Sequence, residues 1–581
     1  MNKEIKKIIG KTTRDLYKIK SFDFTVEYPK QKEYGDYACN VAMILAKELG
    51  KNPIEIAKEI ANEISKENKN KELFGEVKIA KPGFINFTLS EKFLFQQLEK
   101  IIKLKNDYGK SEIGKNKIIV IDYSHPNIAK PMHVGHMRST IIGQAICNIY
   151  RFLGYRVIAD NHLGDWGTHF GKLIVAYRKW GNKKTIYQNP ITEITKLYVR
   201  FNKEAKDNPT LEDKARLEIK KLQNGDKENL KLWKFFVEES LREFEKIYQI
   251  FRTKFDYVLG ESFYQPVLAK IVKDALDKKV AVKSKGAIVI PLKKSKTPFV
   301  IQKSDGAYLY GTTDLAAIKY RKEKFKADKI FYIVSNEQTF YFSQLFESAE
   351  LLELAKKENL IHIKYGLVLG ENGKKLSTRK GEAVSLMELI NKAIGLSREI
   401  VEKKNPSLSE DEKNKIAQTV GVGALKYNDL SQNRLTDIIF NWNKMLSLTG
   451  NSAPYLQYTY ARIESIFRKA EEEKYKTDVT YGSYRKINFG LLTEDIEKSI
   501  IRDLIKFPEI VEKSAEEYQP NIIADYLFQL ASGFNLFYQK LPILKAGSNE
   551  LRQTRLELIS AINATLKNGL SLLGIEVLER M

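Results

Sequence analysis

At 581 residues, 43% hydrophobic and 29% charged, the chain has the length and composition of a globular protein of several domains. Its 97 Lys and Arg against 73 Asp and Glu leave a formal net charge of +24, which favours a polyanionic partner, nucleic acid before anionic membrane. No run approaches the ~18 apolar residues of a membrane span, the charged start M-N-K-E-I-K-K-I-I-G lacks the apolar stretch of a signal peptide, and two separated cysteines, Cys39 and Cys147, argue against a disulfide framework or a structural zinc and for a reducing cytoplasm.

Residues 1–110 read as a small α/β unit, with amphipathic helices over 2–17, 38–49 and 53–68 and a strand over 76–80. The Pro-Gly turn of K-P-G-F-I-N-F-T-L, Lys81 to Leu89, then predicts a hairpin. From residue 111 strands and helices alternate, the pattern of a parallel sheet. Lys117 to Tyr123 is a buried strand; Ile141, Ile142, Ala145, Ile146, Ile149, Phe152 and Leu153 recur at helical spacing. Between them lies S-H-P-N-I-A-K-P-M-H-V-G-H-M-R-S-T, Ser124 to Thr140, on the turn where open α/β sheets place ligands beside a helix N-terminus. Five of the six histidines (His125, His133, His136, His162 and His169) fall in or just after this stretch.

Arg156 to Ala159 is a second strand, and Asn161 to Gly171 leaves it as a Gly-rich loop rimming the same cleft. Helices with solvated basic faces follow to about residue 260. Two hairpins are expected over 280–311, around Ser284-Lys285-Gly286 and Ser304-Asp305-Gly306. Tyr310 and Asp314 then share a face if a helix starts there. Lys329 to Val334 is a strand that delivers Ser335 to Gln338 to its end, and I-H-I-K-Y-G-L-V-L-G leads into a basic loop, Lys374 to Lys380, bracketed by Gly373 and Gly381 and suited to closing as a lid. Beyond about 385 strand signals vanish: a helical stem over 386–440 and an all-helical module over 441–581 are expected.

His133 and His136, split by Gly135, suit three roles: metal ligands, an acid/base pair or hydrogen-bond donors. No third metal ligand has suitable spacing. With Lys130 beside them at a helix start, they suit nucleotide phosphates as pyrophosphate leaves, and Lys374 and Lys375 offer further cations to the same charge.

These residues resemble a known family. His133-Val134-Gly135-His136 is similar to the HIGH signature of class I aminoacyl-tRNA synthetases, and Lys375-Leu376-Ser377-Thr378-Arg379 sits where that class carries its KMSKS loop. S-x-P-N-x-A-K-P-M-H-x-G-H, G-D-W-G-T, the Tyr310/Asp314 pair, E-Q and S-T-R-K-G together resemble the arginyl-tRNA synthetases, over the whole chain. Three departures stand out: Asp122 where Glu is usual, His169 where Gln is commoner, and Thr378 at the second KMSKS lysine, whose charge Lys130 is thought to supply.

The resemblance implies a Rossmann-like doubly wound catalytic domain over 111–385, a small N-terminal α/β domain that touches the outer corner of tRNA, and a helical bundle that reads the anticodon. It implies an ATP-dependent arginine–tRNA ligase working through an arginyl-adenylate, with ATP taken as its Mg2+ complex, and activation that needs tRNA. Catalytic roles fall to Lys130, His133, His136, Lys375, Ser377 and Arg379; ATP contacts to His133, Gly135, His136, Lys374 and Lys375; arginine contacts to Asp122, Asn127, Tyr310, Asp314 and Gln338. A cytoplasmic monomer free of membranes and of structural zinc completes the expectation. A cysteinyl-type enzyme would need cysteine ligands for zinc that this chain does not carry, and a non-enzymatic RNA-binding relative would have lost the HIGH or arginine-site residues, which are intact.

Overall fold

A computed structural model of the chain describes residues 1–29, 31–67, 72–370, 373, 384–475 and 487–581. At the N-terminus β1 (Val26–Glu27), β2 (Tyr37–Cys39), β3 (Phe74–Ala80) and β4 (Phe84–Leu89) form an antiparallel sheet in the order β1-β2-β4-β3. Helices α1 (Asn2–Tyr17), α2 (Val41–Leu49) and α3 (Pro53–Lys66) accompany it, and α3 buries Ile56, Ile60 and Ile64 on one face. The helix expected over 38–49 starts three residues later. Tyr37 and Cys39 alternate inward on β2, with Tyr37 opposite Phe87, and Asn40 ends that strand.

The central sheet comprises β5 (Ile118–Asp122), β6 (Arg156–Asn161), β7 (Tyr257–Val258), β11 (Lys329–Tyr332) and β12 (Leu360–His362), all parallel, in the order β12-β11-β5-β6-β7. Its β-branched strands are buried on both faces, as a doubly wound sheet requires. The chain leaves β5 through α4 (Val134–Phe152) toward β6 on one side and later returns to β11 on the other. The topological switch point therefore lies beyond the C-terminal ends of β5 and β11, where Ser124 to His136 and Ser335 to Gln338 emerge.

Helices α5 (Thr168–Trp180), α6 (Pro190–Asp207), α7 (Thr210–Gln223) and α8 (Lys227–Phe251) form an insertion between β6 and β7. A three-stranded antiparallel sheet, β8 (Val282–Ser284), β9 (Ala287–Ile290) and β10 (Phe299–Gln302), follows in the order β10-β9-β8. Only the first expected hairpin forms in full. The second is one bridge, Gln302 to Tyr308, because β10 pairs with β9 and the chain turns at once into α9 (Tyr310–Glu323).

Two long helices, α10 (Leu386–Lys404) and α11 (Glu410–Leu430), make the stem. Strand structure does not end at 385: β13 (Val368–Leu369) pairs in parallel with β14 (Ile438–Ile439), which brings the far end of the stem back to the domain of the parallel sheet. Arg138 of α4, fully buried, secures this junction. Its guanidinium meets Asp429 at 3.1 Å and donates to the carbonyls of Leu367, Thr436 and Arg434. Arg434 in turn donates to the carbonyls of Tyr518 at 2.8 Å and Lys364 at 2.5 Å.

The C-terminal module packs α12 (Ala453–Tyr475), α13 (Asp495–Ile505), α14 (Phe507–Glu516), α15 (Asn521–Lys540) and α16 (Asn549–Leu572) around Leu527, Leu530, Phe534 and Leu566. The N-terminal unit docks on it through the Met1 ammonium with Glu509 at 2.7 Å and Arg502 with Asp36 at 2.9 Å. Among the described residues no helix is long and apolar enough to cross a membrane.

Candidate active site

His133 is the N-cap of α4, and the two signature histidines close a capping box. The Gly135 N–H donates to His133 Nδ1 at 3.1 Å, and the His133 N–H donates to His136 Nδ1 at 3.0 Å. With both Nδ1 atoms accepting, the hydrogen-bond network assigns the proton of each neutral ring to Nε2. Burial, aided by Lys130, lowers the pKa of His133. Burial and the neighbouring His133 and His125 bring His136 down to about 3. At neutral pH the pair thus supplies uncharged Nε2–H donors beside the positive end of a helix.

The turn before α4 is strained. Ser124, His125 and Ala129 have φ values of 81°, 51° and 67°, a region that costs roughly 1–3 kcal/mol for each non-glycine residue. Hydrogen bonds hold the backbone there: the Ser124 N–H donates to Ser139 Oγ at 2.9 Å, Ser124 Oγ meets Thr140 Oγ1 and the Tyr248 hydroxyl, and the Ala129 N–H donates to Ser240 Oγ at 3.1 Å. Lys130 stands exposed just beyond, its Nζ 5.9 Å from the centre of the Tyr198 ring.

The basic-loop residues Lys374, Lys375, Ser377, Thr378 and Arg379 lie outside the described residues. Both ends of their segment are nevertheless anchored: β13 leads into it, and Ser385 beyond it forms an antiparallel bridge with His133. The Val134 N–H donates to the Val384 carbonyl, and the Leu386 N–H to the Met132 carbonyl at 2.9 Å. The exit of the basic loop is therefore hydrogen-bonded to the backbone of the histidine signature.

Behind the turn lies a charge cluster that the sequence only half revealed. Asp122, at the end of β5, is 4% exposed, and both carboxylate oxygens are engaged: Oδ1 accepts from His125 Nε2 at 2.7 Å, Oδ2 from Arg321 at 2.8 Å. Burial pushes its pKa up, but Arg321 and His125 together outweigh that and hold it well below the usual carboxylate range. Arg321 also donates through two nitrogens to Asp160 Oδ2, while Asp160 Oδ1 is buried without a partner. One resident arginine thus serves two carboxylates.

Asp314 is differently placed. It lies in the first turns of α9, four residues after Tyr310, with 22% of its side chain open. The Tyr341 hydroxyl donates to its Oδ2, and His162 Nε2 lies 3.8 Å from its Oδ1. Among the described residues no Lys or Arg pairs with it. Burial, with Asp122 adding repulsion, pushes its pKa up to about 6. Glu261 reaches about 8 through burial, then the charges of Asp314 and Asp165, and it too has no cationic partner among the described residues. Tyr310, 60% exposed, packs its ring 4.9 Å from that of Tyr341. Asn127 and Gln338 are exposed, the first on the turn where it bridges Gly164, the second in the short turn after β11. His169 is mostly buried and brought to about 4 by burial, with Lys130 adding to it.

The cleft therefore gathers Asp122, Asn127, Lys130, His133, Gly135, His136, Tyr310, Asp314 and Gln338 around one switch point. Sequence reading missed Glu261, Arg321, Tyr341 and the pairing role of His125. Arg321 sits in K-Y-R-K-E-K, indistinguishable from a solvated face, and Glu261 follows a Gly with no motif around it.

Three family models match in succession: an arginyl tRNA synthetase N terminal domain over residues 3–89, the class I (R) tRNA synthetase catalytic domain over 97–442, and a DALR anticodon binding domain over 456–581. An arginine–tRNA ligase of Fusobacterium nucleatum is 44% identical, with 100% of this chain and 99% of that one covered. The chain belongs to the arginyl-tRNA synthetase family. The arginine–tRNA ligase of Halothermothrix orenii is 39% identical over 99% of this chain and 98% of its own. The crystal structure of the Plasmodium falciparum arginyl-tRNA synthetase superposes with a TM-score of 0.83 at 29% identity, covering 100% of this chain and 99% of that one. The Thermus thermophilus arginyl-tRNA synthetase shares the fold at a TM-score of 0.82 and 24% identity, with 100% of both chains covered.

Proposed function

We propose that this cleft joins L-arginine to its tRNA in two steps, through an arginyl-adenylate. The observation that carries the reading is the half-buried carboxylate pair, Asp314 and Glu261, without a cation among the described residues, beside a second pair, Asp122 and Asp160, that already shares Arg321. A guanidinium is the cation that fits: it presents donors in a rigid fork that two carboxylates match. Asp314 and Glu261 accept its N–H groups, with Tyr310 packing over it, while Asn127 and Gln338 reach the polar end of the amino acid from the rim.

The Nε2–H donors of His133 and His136 meet the phosphates of ATP, bound as its magnesium complex, with Gly135 letting the nucleotide approach the helix N-terminus. The arginine carboxylate attacks the α-phosphorus, and the bond to pyrophosphate breaks. Lys130, with Lys374, Lys375, Ser377 and Arg379 from the basic loop, stabilises the charge gathering on the leaving group. The terminal ribose hydroxyl of tRNA then attacks the arginyl carbonyl and AMP leaves. Positioning and fixed donors suffice, and no side chain need form a covalent bond.

Residues 1–110 reach the outer corner of the tRNA, and residues 441–581, joined through the stem at 386–440, its anticodon. On the latter Arg462 lies 4.8 and 5.5 Å from the ring centres of exposed Tyr458 and Tyr538, a surface suited to stacking on bases. The protein works as a monomer in a reducing cytoplasm. Pyrophosphate exchange across a panel of amino acids, with and without tRNA, tests the reading: exchange confined to arginine and dependent on tRNA supports it, and exchange with another amino acid overturns it.

A further inference from the structure

One side chain outside α9 touches both members of its Tyr310/Asp314 pair. The helix Thr339–Leu351 starts directly after the turn at the end of β11, with Gln338 as its N-cap. Phe342, Leu345, Phe346 and Ala349 bury one face of that helix, and Tyr341 lies four residues before Leu345 at the edge of the same face. Its hydroxyl donates to Asp314 Oδ2, and its ring lies 4.9 Å from that of Tyr310 and 5.9 Å from that of Phe299. Burial, then the charge of Asp314, hold the phenol pKa well above its ordinary value, so Tyr341 keeps its proton and stays the donor.

No other group near Asp314 fills this role. His162 Nε2 stands 3.8 Å from Oδ1, beyond hydrogen-bond reach, and burial lowers the pKa of that ring. Glu261 and Asp122 add only like charge, while His125 and Arg321 are engaged by Asp122, and Arg321 by Asp160 as well. The Tyr341 hydroxyl is therefore the hydrogen bond that favours the ionised Asp314 carboxyl against its burial. It occupies Oδ2, and Oδ1 carries no hydrogen bond among the described residues. Resting on the guanidinium placement above, we infer that Tyr341 is a positioning residue for arginine recognition: its hydroxyl holds Asp314 so that Oδ1 meets the incoming guanidinium, and its ring carries Tyr310, which packs over that group. The cation site is thus shared by two elements, α9 and the helix that follows β11.

The pH dependence of arginine binding separates this role from simple packing. Tyr341→Phe keeps the ring and deletes the hydroxyl. Without that bond the Asp314 carboxyl takes up its proton at a higher pH than the present value of about 6, and only the ionised form accepts a guanidinium. Titration calorimetry on the full-length protein should show arginine weakened about 5- to 50-fold at pH 6, from loss of a hydrogen bond to a charged group. At pH 9, where the carboxyl ionises with or without Tyr341, the loss should shrink to about threefold or less. Tyr341→Leu, which removes the support of Tyr310 as well, should weaken arginine at both pH values. Equal losses for Tyr341→Phe at pH 6 and pH 9, a matching loss for ATP, or unchanged arginine affinity at pH 6 would each overturn the inference. Asp314→Asn tells this failure from that of the guanidinium placement. If it weakens arginine and Tyr341→Phe does not, only the role of Tyr341 falls; if it leaves arginine untouched, both fall.

Discussion

Asp314→Asn removes one negative charge from the proposed guanidinium pocket and little else. The side chains are nearly the same shape, and the Tyr341 hydroxyl that donates to Asp314 still finds an amide oxygen. Stripping one partner from a buried charged pair costs about 2–5 kcal/mol. Two features of the pocket favour the lower part of that range: Asp314 keeps 22% of its side chain open, and Glu261 remains as a second acceptor. The expected loss is about 2–3 kcal/mol, roughly 30- to 150-fold in the dissociation constant of arginine. The sign of the pH dependence follows from the raised pKa of about 6. Only the ionised carboxylate accepts a guanidinium, so arginine binding strengthens as pH rises through that value. At pH 5 the free carboxyl is protonated about ten to one, which alone weakens binding about tenfold relative to pH 7. In Asp314→Asn this step should vanish, and removal of its repulsion should let Glu261 ionise at lower pH. Titration calorimetry of arginine and of ATP across pH 5 to 9 reads all of these effects. Arginine affinity unchanged within about threefold, or an equal loss for ATP, would refute the placement.

Glu261→Gln should remove the upper inflection, near pH 8, from the same arginine titration and leave the lower one; an unaltered profile would take Glu261 out of the pocket. His133→Asn separates the cap from the chemistry. Asn is a strong N-cap, so the thermal unfolding midpoint should hold, while tRNA-dependent pyrophosphate exchange should fall about 10²–10³-fold for loss of a preorganised Nε2–H donor. Lys130→Ala should slow activation by about 10²–10³ with arginine affinity kept, and Thr378→Lys in that background should restore part of the rate. No recovery in the double variant would mean that the two positions do not share one charge. Exchange and tRNA binding should also weaken steeply with salt, as phosphate contacts release counterions; a flat response would leave the +24 charge to solvation alone.

The framework was legible because its signals are local. A β-branched run such as Lys117 to Tyr123 and the helical spacing from Ile141 to Leu153 each fix an element, and the polar turn between them falls at the switch point. The Tyr310/Asp314 pair was legible for the same reason, because a helix puts residues four apart on one face. What escaped depends on distant partners. Arg321 looks solvated in its charged run until the sheet sets Asp122 and Asp160 against it, and Glu261 stands out only once folding buries it within reach of the charges of Asp314 and Asp165. The two-residue β14 carries no periodic signal; it exists because β13 offers an edge, and Arg138 binds the carbonyls that lead to it.

That arginine has a consequence for how the chain is made. Arg138 and its carboxylate partner Asp429 lie 291 residues apart in sequence. At roughly 5–20 residues per second, a ribosome delivers the histidine helix about 15–60 s before the acid that neutralises it. During that interval the sheet holding β5 and β11 can assemble, yet the guanidinium at its edge must stay hydrated, and the seat for β14 must stay open. Closure of the catalytic domain thus waits for the far end of the stem to leave the exit tunnel. A nascent chain halted near residue 400 would expose a charged, half-built edge, so pauses in translation over the stem should draw chaperones more strongly than pauses after residue 440.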